Sequence, residues 1–82
     1  MEPDKENEYK TKDLGEVSAL VTSGQKIIEM QRDERICWFV FEHTDQCEKI
    51  SREYFFGNLT GNLRQYNEAM NNLKNRIFSN VR

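Results

Sequence analysis

The sequence has no run of eighteen apolar residues, which excludes a membrane-spanning helix. Its first ten residues, MEPDKENEYK, are acidic and polar, which excludes a secretory signal there and sets the expected location as cytoplasmic. It has two cysteines, Cys37 and Cys47, with no CxxC clamp, and one histidine, His43. In a reducing compartment the two cysteines read as buried thiols. A Cys37–His43–Cys47 zinc site, with Asp45 as a fourth ligand, lacks the usual close ligand pairs. A nucleophilic group of Cys47 or Cys37 with His43, oriented by Glu42 or Asp45, lacks a glycine-rich oxyanion loop. There is no GxGxxG, no Walker loop and no HExxH. GNLTGN brings no lysine to a phosphate and reads as a turn, and with a cytoplasmic location expected, glycosylation of its Asn58-Leu59-Thr60 sequon is not expected. The expectation is a protein that is not an enzyme, with no cofactor, no metal and no small-molecule substrate.

What is present is a chain of 82 residues, 11 % aromatic and 32 % charged. A chain of this size buries roughly 60–65 % of its unfolded surface, enough for one domain of two packed layers and too little for a deep pocket. Residues 1–8 read as a disordered acidic tail and residues 9–82 as a single domain. Charge is split along the chain. Residues 1–48 carry six basic and twelve acidic side chains and residues 49–82 six basic and two acidic, leaving −6 and +4.

Local signals predict three helices and a hairpin. Thr11 or Asp13 caps a first helix, with Asp13 and Glu16 at capping-box spacing, Leu14, Val17, Leu20 and Val21 on one face and Gly24 as the stop. QKIIEMQ and ICWFVFE, joined by RDER, read as an antiparallel hairpin. With Asp33 and Glu34 at the tip, one face carries Ile28, Met30, Cys37, Phe39 and Phe41. The other carries Ile27, Glu29 and Gln31 beside Ile36, Trp38 and Val40. A one-residue slip would reassign them. A second helix starts near Thr44 or Asp45, runs through Cys47, Ile50 and Tyr54 and ends at Gly57. A third has apolar positions Leu59, Leu63, Tyr66, Met70, Leu73 and Ile77 in a heptad-like seam, packing mainly through Leu63, Met70, Leu73 and Ile77. The order is α-β-β-α-α, an α+β fold.

YKTKDL opening a helix, the hairpin with WFVFE, REYFFGN and a last helix with NNLKNRIF resemble a family of small phage and prokaryotic proteins catalogued as a domain of unknown function. The resemblance covers about residues 9–79. It implies a compact single domain, often tied to mobile elements, with no catalytic residues to carry over.

Two functional expectations follow. The first is a protein-interaction module, a regulator or accessory factor. Its docking patch would be Ile27, Ile36, Trp38 and Val40 on the second hairpin face, taking a protein partner or a second copy. The competing expectation for that face is that a helix, the first above all, crosses to cover it. The second functional expectation is nucleic-acid binding by the basic half, through Lys49, Arg52, Arg64, Lys74 and Arg76, with asparagines and aromatics interleaved.

Overall fold

The computed structural model describes residues 8–79, so the expected tail falls almost entirely outside the described residues. The expected elements are present, in the expected order: α1 (Leu14–Thr22), β2 (Ile27–Asp33), β3 (Ile36–Phe41), α2 (Thr44–Phe55) and α3 (Leu63–Ser79). One further strand precedes them, β1 (Tyr9–Thr11). It was missed because three residues carry no periodicity; its pairing with β3 makes it a strand. The sheet order is β1-β3-β2, all antiparallel, with β3 in the middle.

Local chemistry sets the helix ends. Asp13 caps α1, its Oδ1 accepting from the Glu16 amide at 2.9 Å. At the C-termini of α1 and α2 the glycines stand at φ +101 (Gly24) and +77 (Gly57), a region that favours glycine. Each completes a pair of reversed hydrogen bonds. Gln25 and Gly24 donate to Leu20 and Val21 after α1, and Asn58 and Gly57 to Glu53 and Tyr54 after α2. The second helix starts at Thr44, the earlier of the two expected starts. His43 is the N-cap of α2, with φ 31, and Asp45 lies within the first turn, where its charge favours the positive end of the helix. Asn62 caps α3, its Oδ1 accepting from the Gln65 amide at 3.0 Å, so Leu59 belongs to the preceding loop.

The hairpin tip lies one residue further along the chain than expected, so each paired residue of β2 near the tip meets a β3 residue two positions further on, and the faces there are kept. Asp33 pairs with Ile36, placing Glu34 and Arg35 at the tip, and Met30 pairs with Phe39. Glu34 takes φ 58, the positive value a tight two-residue hairpin asks of its first central residue. A register irregularity between Ile27 and Glu29 then admits Ile28 as an extra residue. This bulge reverses the expected faces at the start of β2. Ile27, opposite Phe41, packs against the core, and Ile28 is 46 % exposed.

The core joins Val17 and Leu20 of α1, Phe39 and Phe41 of β3, Cys47 of α2 and Leu73 of α3. All three helices therefore lie on the Phe39–Phe41 face of the sheet. α1 packs against both α2 and α3 and lies between them. On α3, Leu73 is buried and Ile77 packs against the core, whereas Leu63 is 83 % exposed. The seam was expected to include Leu63; at the first residue of the helix it overhangs the edge of the layer instead.

Candidate functional site

Pairing places three rows of side chains on the sheet face opposite the helices. Lys10, Val40 and Glu29 form one row across the three strands, because Lys10 and Glu29 both pair with Val40. Trp38 pairs with Gln31 in the next row, and Ile36 with Asp33 in the third. Lys12, just past the end of β1, holds its Nζ 5.9 Å from the centre of the Trp38 ring, a cation–π distance. The face thus has an apolar stripe along β3, a basic edge along β1 and an acidic edge along β2.

Of the four residues expected to form a docking patch, three lie on this face. Ile36 is 39 % exposed and Trp38 is half-buried. Val40 is fully buried, contrary to its expected partial exposure; it lies on the central strand, flanked by Lys10 and Glu29. Ile27 does not belong to the patch, because the bulge turns it to the helix side, into a groove with Val21 and Leu73. The helix expected to cover this face, α1, packs on the other one.

The basic residues expected to bind nucleic acid, Lys49, Arg52, Arg64, Lys74 and Arg76, are all exposed, but they do not share one element. Lys49 and Arg52 are on α2; Arg64, Lys74 and Arg76 are on α3. At about 100° per residue, the buried side of α3 runs through Tyr66, Leu73 and Ile77. Its opposite side carries Asn71 and Asn75 with Arg64 and Glu68, and Asn67 and Lys74 lie on the flank next to them, all exposed.

A polar cluster lies on the other side of the sheet, and sequence reading did not find it. Glu16 is 4 % exposed, with its carboxylate accepting from the Tyr9 hydroxyl and, at 2.6 Å, from Thr11 Oγ1. The capping-box spacing pointed to Glu16, but that pattern assigns its side chain to the backbone of the cap. Here it ties β1 to α1. Beside it, Tyr54 projects over Gly15, where a Cβ would overlap the tyrosine hydroxyl. Burial, reinforced by the Glu16 hydrogen bond, pushes Tyr9 from 10.0 up to about 12. A hydrogen bond with Tyr66, together with burial, pushes Tyr54 from 10.0 up to about 12. Burial, then the negative charge of Glu16, pushes the Cys47 thiol from 9.0 up to about 11. A thiol so protonated is a poor nucleophile and a poor ligand.

Both cysteines are free. The Cys47 Sγ approaches the Glu42 carbonyl at 3.8 Å and Gln25 Oε1 at 3.9 Å. His43 is exposed, its Nε2 3.9 Å from a Glu42 oxygen at the surface. Among the described residues, no three His, Cys, Asp or Glu side chains converge as a metal site would require. A hollow of about 290 Å³ opens between the end of α1 and residues 59–63, against Tyr54 and Tyr66, and no charged side chain lines it. None of the described helices is long and apolar enough to cross a membrane.

No curated protein and no solved structure matches the chain significantly. A family model does, over residues 6–79, nearly the whole of it. The chain belongs to the family described as Domain of unknown function (DUF5659).

Proposed function

We propose that this protein is a small non-enzymatic interaction module, a cytoplasmic regulator or accessory factor that docks a protein on the helix-free face of its sheet. The observation that carries this reading is Trp38. It is the one tryptophan of the chain, and it stands half-buried at the middle of a face that none of the described helices covers. A three-stranded sheet needs one covered face for stability, and the helices supply that on the Phe39–Phe41 side. An aromatic on the other side that keeps part of its surface in solvent is of the kind that anchors interfaces when a partner desolvates it. The flanking charges make a polar rim, as docking surfaces have.

The test is capture of proteins by the full chain and by Trp38→Ser, after nuclease treatment, with circular dichroism to report the fold. Proteins bound by the wild type should be lost in the variant. Equal capture by a folded Trp38→Ser would defeat the reading. If that variant does not fold, Ile36→Ser, at a more exposed neighbour, takes its place.

A second reading is favoured by the outer side of α3. Asparagines at i, i+4 and i+8 suit the edges of adenines, and Arg64 and Lys74 beside them suit phosphates. Glu68 is the only acidic residue on that helix. Duplex DNA binding of this kind should weaken steeply with salt, because each neutralised phosphate releases counterions. Replacing Arg64, Lys74 and Arg76 together by glutamine should abolish a gel shift and leave the fold intact. No shift by the wild type at low salt would dispose of it.

A further inference from the structure

The row geometry of the open sheet face points to a particular occupant. We propose that a second copy of this chain docks there, face to face, about a two-fold axis parallel to β3. This rests on the reading of that face as a docking surface, and it names the partner.

Charge and symmetry select this occupant. Seen from outside, the face runs from basic to apolar to acidic: Lys10 and Lys12 on the β1 side, Trp38 and Ile36 on β3, Glu29 and Asp33 on the β2 side. Two identical faces can stack about an in-plane two-fold in two orientations along the strand frame. With the axis across the strands, each edge lies over its own copy, lysine over lysine and carboxylate over carboxylate. With the axis along β3, the edges exchange, and the basic edge of each copy lies over the acidic edge of the other. Because Lys10 and Glu29 share the row of Val40, the exchange sets each Lys10 over the other copy's Glu29. Lys12, near the Trp38 row, comes between Gln31 and Asp33 and can trade its place over the indole ring for a carboxylate. The apolar residues of β3 fall on the axis and meet their own copies, to within the usual ~30° twist between packed sheets. The contact is isologous and closes at two, so it does not propagate into fibres.

Size sets the strength. Three strands about 4.8 Å apart and six residues of about 3.3 Å give a face roughly 15 by 20 Å. That is well under the ~800 Å² per partner of a stable complex, so the dimer is weak and forms at high concentration. Val40 adds little contact, being already buried. The exposed residues carry the association.

The experiment is sedimentation of the full chain from about 10 μM to about 1 mM at low and high salt, a range suited to so small a contact. Two double variants are run beside the wild type, Lys10→Glu with Lys12→Glu, and Glu29→Lys with Asp33→Lys. Every altered side chain is exposed, and melting curves verify the folds. The wild type should dimerise and lose the dimer at high salt. Each double variant alone should bind itself at least about tenfold more weakly, because both edges then carry one sign. A one-to-one mixture of the two should dimerise, one face being wholly acidic and the other wholly basic. Should a double variant fail to fold, the single changes Lys10→Glu and Glu29→Lys are mixed instead.

The proposal falls if the wild type stays monomeric at the highest concentration, if either variant dimerises as the wild type does, or if the mixture stays monomeric. A monomeric wild type whose capture of another protein still requires Trp38 would sink this inference and leave the docking reading standing. Loss of both would remove the two together.

Discussion

Glu16 governs more of this structure than its place in the sequence suggests. A carboxylate 4 % exposed must find hydrogen-bond donors, and Tyr9 and Thr11 provide them from the edge strand. The short strand β1 is thereby held from two sides, by its pairing with β3 and by its hydroxyls on α1. The same carboxylate bears on the alkaline limit of the fold. Tyr9, Tyr54 and Cys47 all titrate above their ordinary values, at about 12, 12 and 11. Groups raised in this way bind their protons more tightly folded than unfolded. Their stabilisation is therefore complete below pH 9 and is lost as pH rises through 11 to 12. The melting temperature should stay level to about pH 9 and fall steeply beyond it, tracked by circular dichroism. Tyr9→Phe should soften that fall, because one of the raised groups is gone. An unaltered alkaline profile in that variant would remove Tyr9 from the account.

At the scale of elements, α3 separates periodicity from burial. Leu63, Met70, Leu73 and Ile77 have one spacing pattern, yet Leu73 is fully in the core and Leu63 is out in solvent. Leu73→Ala should cost about 2–5 kcal/mol in chemical denaturation, because it opens a cavity among Leu20, Phe39 and Phe41. Leu63→Ala should stay within about 0.5 kcal/mol, having little burial to lose. Equal losses at the two positions would mean that the seam, and not the core, organises the helix. The hairpin shows the same division. Alternation along β3 correctly separated Phe39 and Phe41 from Trp38, but the bulge at Ile28 exchanged the roles of Ile27 and Ile28.

For the whole molecule, the consequence is a two-layer body, 36 by 32 by 18 Å, with its helices on one side. Docking of any protein on the bare face would act on stability by mass action, since it binds only the folded state. If the occupant is a second copy, the melting temperature should rise with protein concentration at low salt and not at high salt. A melting temperature independent of concentration under both conditions would contradict that occupant.

Read alone, the sequence determined the elements whose causes are local. A cap at Thr11 or Asp13, Gly24 and Gly57 as left-handed stops, and the alternation of β3 each act over four or five residues, within reach of pattern reading. It also placed Leu73 and Cys47 in the interior. Only the tertiary structure decided which face of the sheet the helices cover, that Tyr9–Thr11 is a strand, and that Glu16 is buried. The same holds for the assignment of Ile27 to the core. Each of these depends on partners far along the chain, Tyr9 on Phe41 and Ile27 on Phe41 and the groove under α3. A bulge of one residue inverts a face without any mark in composition, because the energy that selects it is that of packing the whole layer.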